Sequence, residues 1–356
     1  MARRAQKRPC VSVVLAAHDA AEHIGRAVES VLNQRFSDLE LILVDCGSHD
    51  RTRAQLDRFA ERDIRVDVIG VAGESCLAGR RAGLDAAHGD YILFLNQRDW
   101  LSQAFLDVLV AAAEAEGADL VIPELSVDTE QPDGARVSST LAHGACFWGT
   151  SEEFRAASAP LIENGAIAFA AGKLIRRSLV EGLPSCAFDG DEQAFMVECV
   201  RGIERVAVVE GARYHLDLAC GAGRESYEPG MFERCERDRE GVMALYRDWG
   251  MSGDESVRRS IARRHLREVI RCIENASVGS GPASSADRRA LVQRIVDAES
   301  TRESVRELKS LSHEFGIMYA PIARRSVTGC CMGARIQEIV GRALLPFAPA
   351  AVSARV

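Results

Sequence analysis

A chain of 356 residues, 47% hydrophobic and 27% charged, has room for one large α/β domain with a smaller appendage. Its formal net charge of -8 argues against general nucleic-acid binding. The eleven cysteines are scattered with no CxxC pair, and Cys330 adjoins Cys331, which suits neither a disulfide framework nor a zinc knuckle and predicts reduced thiols in a cytoplasmic protein.

The first nine residues read as a basic flexible tail. Arg3, Arg4, Lys7 and Arg8 suit a solvated terminus or a weak attraction to anionic lipid headgroups. No stretch approaches the roughly 20 apolar residues of a membrane span, and the start lacks the pattern of a signal peptide. Residues 11–16 then form a buried-strand run, and 20–34 carry apolar residues at helical spacing. Strands are predicted at 39–45, 65–71, 91–96 and 118–123. Helices are predicted from about residue 50 to 62, at 76–87, and at 102–116 with Ser102 as N-cap. This alternation argues for an α/β fold: a mostly parallel sheet flanked by helices.

Later the pattern loosens. Residues 127–144 are polar, with a turn at Pro132, Asp133 and Gly134. Helices are predicted at 173–180 and 191–200, and a short strand at 206–209. Beyond about residue 224 the chain reads as helical, broken by a Gly/Ser loop at 277–285. The apolar stretch 336–352 reads as a packed terminal helix or as a surface for a membrane or partner. The expected division is a tail at 1–9, an α/β domain at 10–222 and a helical region at 223–356.

In parallel sheets ligands bind beyond the C-terminal ends of the strands. That directs attention to Ala16, His18 and Asp19, to Asp45, Gly47 and Ser48, and to Asn96, Gln97, Arg98 and Asp99, three groups expected to converge on one edge.

Four segments in order carry a resemblance. They are VSVVLAAHDAAEHIGRAVESVLNQ, LELILVDCGSHDRT, LAGRRAGLDAAHGDYILFLNQRDWLS, and GKLIRRSLVEG followed by FDGDEQAF and RYH. Together they span roughly residues 10–217 and resemble the family 2 glycosyltransferases of the GT-A fold. Each motif alone is weak; four in order is a strong signal for the fold, and function is decided at the site.

The resemblance implies a nucleotide-diphosphate sugar as donor and a glycan or lipid-linked acceptor, in cell-surface polysaccharide synthesis. The reduced thiols point to the cytoplasm, and the lipid-attracting reading of the basic tail, set against that of a solvated terminus, adds peripheral contact with the inner face of the membrane. Asp45 falls on the aspartate that contacts base and ribose; the next family aspartate is Cys46 here. Gly47 and Ser48 keep the tight turn, and Asp50 suits a cap of the following helix. Arg80 falls on the arginine near the nucleotide, and His215 on the histidine near the donor phosphates or metal. Anchoring on Phe195 puts Asp191, then Glu192, at the general base. Lys173 and Arg176 suit either the acceptor cleft or a solvated helix face.

The departure lies at residues 96–98. The family's Asp-x-Asp, which holds Mg²⁺ or Mn²⁺, is Asn96-Gln97-Arg98 here. Two carboxylates that attract a hard cation are gone. Asp99 and His215 are the remaining metal candidates. Two readings stay open. In one, Arg98 pairs with the diphosphate and the enzyme is metal-independent. In the other, the domain is a catalytically inactive nucleotide-binding or partner module. A nucleotidyltransferase would need a Gly-rich phosphate loop after the first strand, which AAHDAAEH lacks.

Overall fold

The computed structural model describes residues 9–73, 76–130, 136–181, 183, 192–218, 227–277 and 284–344. The basic cluster Arg3–Arg8, the turn at 132–134, most of the Gly/Ser loop, Asp191 and the chain beyond 344 lie outside the described residues. The chain forms two compact units, Met1–Ala156 with Ile167–Leu218, and Ala157–Ala166 with Ala219–Val356.

The first unit is built on a ten-stranded sheet. Its first strands are β1 (Val11–Ala17), β2 (Leu39–Asp45), β3 (Val66–Gly70) and β4 (Tyr91–Asn96), all parallel and ordered β3-β2-β1-β4. The Val, Leu and Ile runs of β1, β2 and β4 are buried on both faces, as a helix-covered parallel sheet requires, while β3 at the sheet edge buries only Val66. The covering helices are α1 (Ile24–Leu32), α2 (Thr52–Arg62), α3 (Cys76–Ala86) and α4 (Phe105–Glu116). On α1 the buried residues are Ile24, Ala27, Val28 and Val31, one face of a 3.6-residue period. Helix α3 lies close on β1 and β2 because two of its contact residues are glycine. A Cβ at Gly83 would stand 2.3 Å from Val14 Cγ1, and one at Gly79 would stand 2.5 Å from Cys46 Sγ.

Beyond β4 the sheet is mixed. The order continues β9 (Leu174–Arg176), β6 (Leu120–Glu130), β10 (Val206–Leu218) and β5 (Trp100–Leu101). Strand β9 is antiparallel to both β4 and β6, whereas β10 runs parallel to β6. Strands β7 (Arg136–Leu141) and β8 (Cys146–Trp148) add antiparallel edges to β6 and β10.

Three expectations are corrected here. Residues 173–180 are not one helix: Leu174 and Ile175, fully buried, insert as β9 before the short helix α6 (Arg177–Glu181). The polar stretch from 127 contains the β6–β7 antiparallel pair, not a loop alone. Ser102 does not cap α4, which starts at Phe105; its hydroxyl accepts from the Arg213 backbone N–H at 3.1 Å. Helix α5 (Ser151–Glu163), unanticipated, runs from the first unit's residues into the second's, and α7 (Glu192–Arg201) follows.

The second unit is helical: α8 (Met231–Asp248), α9 (Glu255–Ser277), α10 (Ser285–Asp297), α11 (Glu299–Glu307), a 3-10 turn (Lys309–Phe315), α12 (Gly316–Ala323) and α13 (Val327–Leu344). Its core gathers Leu266, Val269, Ile273, Val292, Ile295, Leu308, Met318 and Ile322. Ser284 caps α10 by accepting from the Asp287 N–H at 3.0 Å. No helix among the described residues is long and apolar enough to cross a membrane.

Candidate functional site

The parallel register sets the ends of three strands level. Ala17 pairs with Asp45, and Ala16 pairs with Asn96. Side chains then link the loops beyond them. The His18 N–H donates to Gln97 Oε1 at 2.8 Å, and His18 Nδ1 lies 2.9 Å from the Cys46 carbonyl oxygen. Asp45, 8% exposed, accepts from the Ser48 N–H at 3.2 Å, and Gly47 makes the turn between them with φ of 74°. Ser48 Oγ accepts from the Asp19 N–H at 3.2 Å. Asp50 Oδ1 takes the N–H of Thr52, the first residue of α2, and its Oδ2 takes the Ala21 N–H, so from one position before the N-cap Arg51 it ties the helix start to the loop after β1. Ala16, His18, Asp19, Asp45, Gly47, Ser48 and Gln97 therefore form one connected edge.

A second cluster sits at the end of β4. Arg80 donates to Asn96 Oδ1 at 2.6 Å and forms an ion pair with Glu192. Asn96 Nδ2 donates to Asp99 Oδ2 at 2.8 Å. Asp99 also accepts from the Tyr214 hydroxyl at 2.5 Å and from the Asp217 N–H at 3.0 Å. Asp99 is 2% exposed, and burial raises its pKa to about 6 against the pull of those three hydrogen bonds. Its acceptor sites are used inside the protein, so it braces β4 against β10 and is a poor metal ligand. His215 Nδ1 lies 2.7 Å from Asp128 Oδ2, and its ring stacks on Trp100 with centroids 4.9 Å apart. The Arg26 guanidinium lies 3.0 Å over the same Trp100 ring.

Arg98 differs from its neighbours. It is half-buried at the same strand end, and no hydrogen bond, ion pair or ring contact joins it to another described residue. Glu192 is committed to Arg80, and Asp191 lies outside the described residues.

Two side chains have roles the sequence did not separate. Lys173 is on no solvated helix face; it is 2% exposed, and burial pulls its pKa down to about 7 while the Glu192 charge acts the other way. Arg176 holds Asp119 at 2.8 Å and the carbonyls of Gly117 and Ala118, which makes it a brace. Sequence reasoning also missed Asp128 and Trp100. The signal for Asp128 was present: in residues 124–128 polar Glu124, Ser126 and Asp128 alternate with Leu125 and Val127, and all are buried. Cys46 shares a hydrogen bond with Cys76, which with the charges of Arg80 and His18 lowers the Cys76 thiol to about 6.

Residues 12–183 match the model of glycosyl transferase family 2. The chain is 27% identical over 311 residues to the uncharacterized glycosyltransferase EpsJ of Bacillus subtilis, covering 84% of this chain and 86% of that protein. It is 35% identical over 122 residues to the succinoglycan biosynthesis protein ExoO of Rhizobium meliloti, a match covering 34% of each chain. In structure it is similar to S. aureus TarS 1-349 in complex with UDP-GlcNAc, with a TM-score of 0.63, 13% identity, and coverage of 93% of this chain and 92% of that one. With these strand ends gathered on one edge, residues 12–183 form a domain of glycosyl transferase family 2, and the protein is a sugar-transferring enzyme on a GT-A fold.

Proposed function

We propose that this transferase takes the sugar from a nucleoside diphosphate sugar and passes it, with inversion, to a glycan or lipid-linked acceptor in cell-surface polysaccharide synthesis, with Arg98 supplying the positive charge at the diphosphate. The relative named for succinoglycan biosynthesis and the neighbour complexed with UDP-GlcNAc support the substrate class. The reading places the enzyme in the cytoplasm, peripheral to the membrane.

The single observation that carries the role of Arg98 is its uncommitted guanidinium among neighbours that are all paired. Mg²⁺ or Mn²⁺ needs several hard oxygen ligands. At this strand end Asn96 Oδ1 already accepts from Arg80, Gln97 Oε1 accepts from His18, and Asp99 is buried under three donors. These residues do not fit a divalent cation. A guanidinium fits a diphosphate, which it can meet with two parallel charge-assisted hydrogen bonds.

The transfer then needs few groups. A carboxylate removes the proton from the acceptor hydroxyl, whose oxygen bonds to the anomeric carbon from the face opposite the nucleotide. The bond from that carbon to the diphosphate oxygen breaks, and its electron pair stays on the leaving diphosphate, where Arg98 stabilises the growing charge. Glu192 is spent on Arg80, which favours Asp191 as the base.

Turnover of UDP, GDP and dTDP sugars with and without EDTA tests this. Turnover should survive EDTA, and Arg98→Ala should lower kcat by about 100-fold or more, the usual scale for one oxyanion-stabilising donor. Abolition by EDTA would remove Arg98 from the role. Nucleotide binding without turnover, with activity restored in Arg98→Asp with Asn96→Asp, would identify a decayed site.

A further inference from the structure

At the outer end of the edge just described, three side chains carry no step of the transfer written above. His18 and Asp19 follow β1, and His49 lies in the turn before α2. One ligand atom from each falls within 4.8 Å of the other two. His18 Nε2 lies 3.5 Å from Asp19 Oδ2, and His49 Nδ1 lies 3.9 Å from that same oxygen. A tetrahedral ion with bonds of 2.0–2.1 Å holds its ligand atoms about 3.3 Å apart. Those two separations thus exceed that spacing only by tenths of an ångström.

The ligands are also oriented from behind. A carbonyl oxygen only accepts, so the 2.9 Å contact of His18 Nδ1 with Cys46 O puts the ring proton on Nδ1. The lone pair then lies on Nε2, the nitrogen turned toward Asp19. Imidazole ligands are commonly fixed in this way, with the far nitrogen donating to a backbone carbonyl. Asp19 repeats the arrangement. Its Oδ1 accepts from the N–H groups of His49 at 2.7 Å and Asp50 at 3.2 Å, which leaves Oδ2 to face the two rings. The rings stand nearly perpendicular, at 86°, with centroids 6.0 Å apart. His49 and Asp19 are exposed, so the way in is open and water can complete the shell.

We propose that His18 Nε2, Asp19 Oδ2 and His49 form a binding site for a late first-row divalent cation, of which Zn²⁺ is the type, on the loops after β1 and β2. Two imidazoles and one carboxylate suit Zn²⁺ and Co²⁺ and disfavour Mg²⁺, which demands oxygen ligands. The ion ties the loop after β1 to the loop after β2. It is distinct from a diphosphate-bound metal, because it uses none of Asn96 to Asp99.

Titration of the full chain with Co²⁺, followed by visible absorption and then by displacement with Zn²⁺, tests the site. The expected result is one equivalent that gives a ligand-field band without a thiolate-to-cobalt charge-transfer band. His49→Ala and Asp19→Asn should each weaken Co²⁺ and Zn²⁺ binding by about tenfold or more, since each removes one of three ligands. Cys235→Ser, which alters the buried Cys235, Glu236 and His265 group in the helical unit, should leave the affinity unchanged. The far-ultraviolet circular dichroism of each variant reports whether it folds, and His49, exposed in a turn, is the substitution least able to disturb folding. A thiolate band on the first equivalent, or a folded His49→Ala protein that binds as tightly as wild type, overturns the proposal.

Discussion

The sheet unit and the helical unit use polar side chains in opposite ways. In the sheet unit backbone pairing holds β1, β2 and β4 in place, and polar residues collect beyond the strand ends, as at Asp45, Gln97 and Arg98. Among the described residues of the helical unit no strand ladder joins the elements, so side chains do the joining. Glu163 alone accepts from Ser260 Oγ at 3.0 Å, Arg267 Nη2 at 3.3 Å and Arg263 Nη1 at 3.4 Å. Arg263 also reaches Glu314, and Arg294 pairs with Glu233. Chemistry should therefore be sought where the backbone supports itself and side chains are left over. Within the helical unit, charges such as Glu163, Arg263 and Glu314 tie its elements together.

The comparison breaks first at Gly172, where the backbone itself carries the burden. Its φ is 77°, and an added Cβ would stand 2.5 Å from the Tyr214 ring. Gly172→Ala should cost about 3 kcal/mol through backbone strain and overpacking together, read from urea unfolding. A loss under 1 kcal/mol would show that this joint between β4 and β10 yields.

Asp99 gives the next effect. Its folded pKa, about 6, lies above the ordinary carboxylate value, so the folded state binds the proton more tightly than the unfolded chain. Stability from this group is present below about pH 4 and is lost as pH rises through 6, by on the order of 2–3 kcal/mol. Unfolding midpoints of wild type and Asp99→Asn at pH 4.5 and pH 7 isolate it. The difference between the two proteins should shift in the variant's favour at the higher pH; equal slopes would remove Asp99 as the cause.

The smallest effect sharpens the contrast. Glu163→Gln keeps the shape but removes the charge that faces Arg263 and Arg267. It should cost about 1 kcal/mol of stability and leave UDP affinity unchanged. A fall in UDP affinity would mean that the helical unit's ion pairs do more than join helices.

How much was legible follows the same division. Residues 39–45 and 91–96 have the bounds that their apolar runs predict, because buried parallel strands are continuous hydrophobic runs. The polar groups after them were found by the strand-end rule. Strand β9 was misread because three residues carry too little periodicity to tell a strand from a helix. Strand β6 was cut short because its polar residues alternate, and buried Ser126 and Asp128 look like surface residues in one dimension. The pairing of Asp128 with His215 and of Arg80 with Glu192 joins residues 87 and 112 apart in sequence, and no local pattern encodes such a meeting.

Helix α5 has a practical consequence for anyone dissecting this protein. Its last residues, with the turn after them, belong to the helical unit, while the chain returns at Ile167 to supply Lys173 and β9 to the sheet. A fragment ending at Leu218 would therefore keep Leu161, Ile162 and Glu163 and lose the helices that shelter them. Greasy, charged and stripped of its neighbours, that end of the helix would invite clumping. The protein is stitched rather than strung: a single scission cannot yield two finished pieces, and any minimal catalytic fragment must have residues 157–166 rebuilt as well as its tail removed.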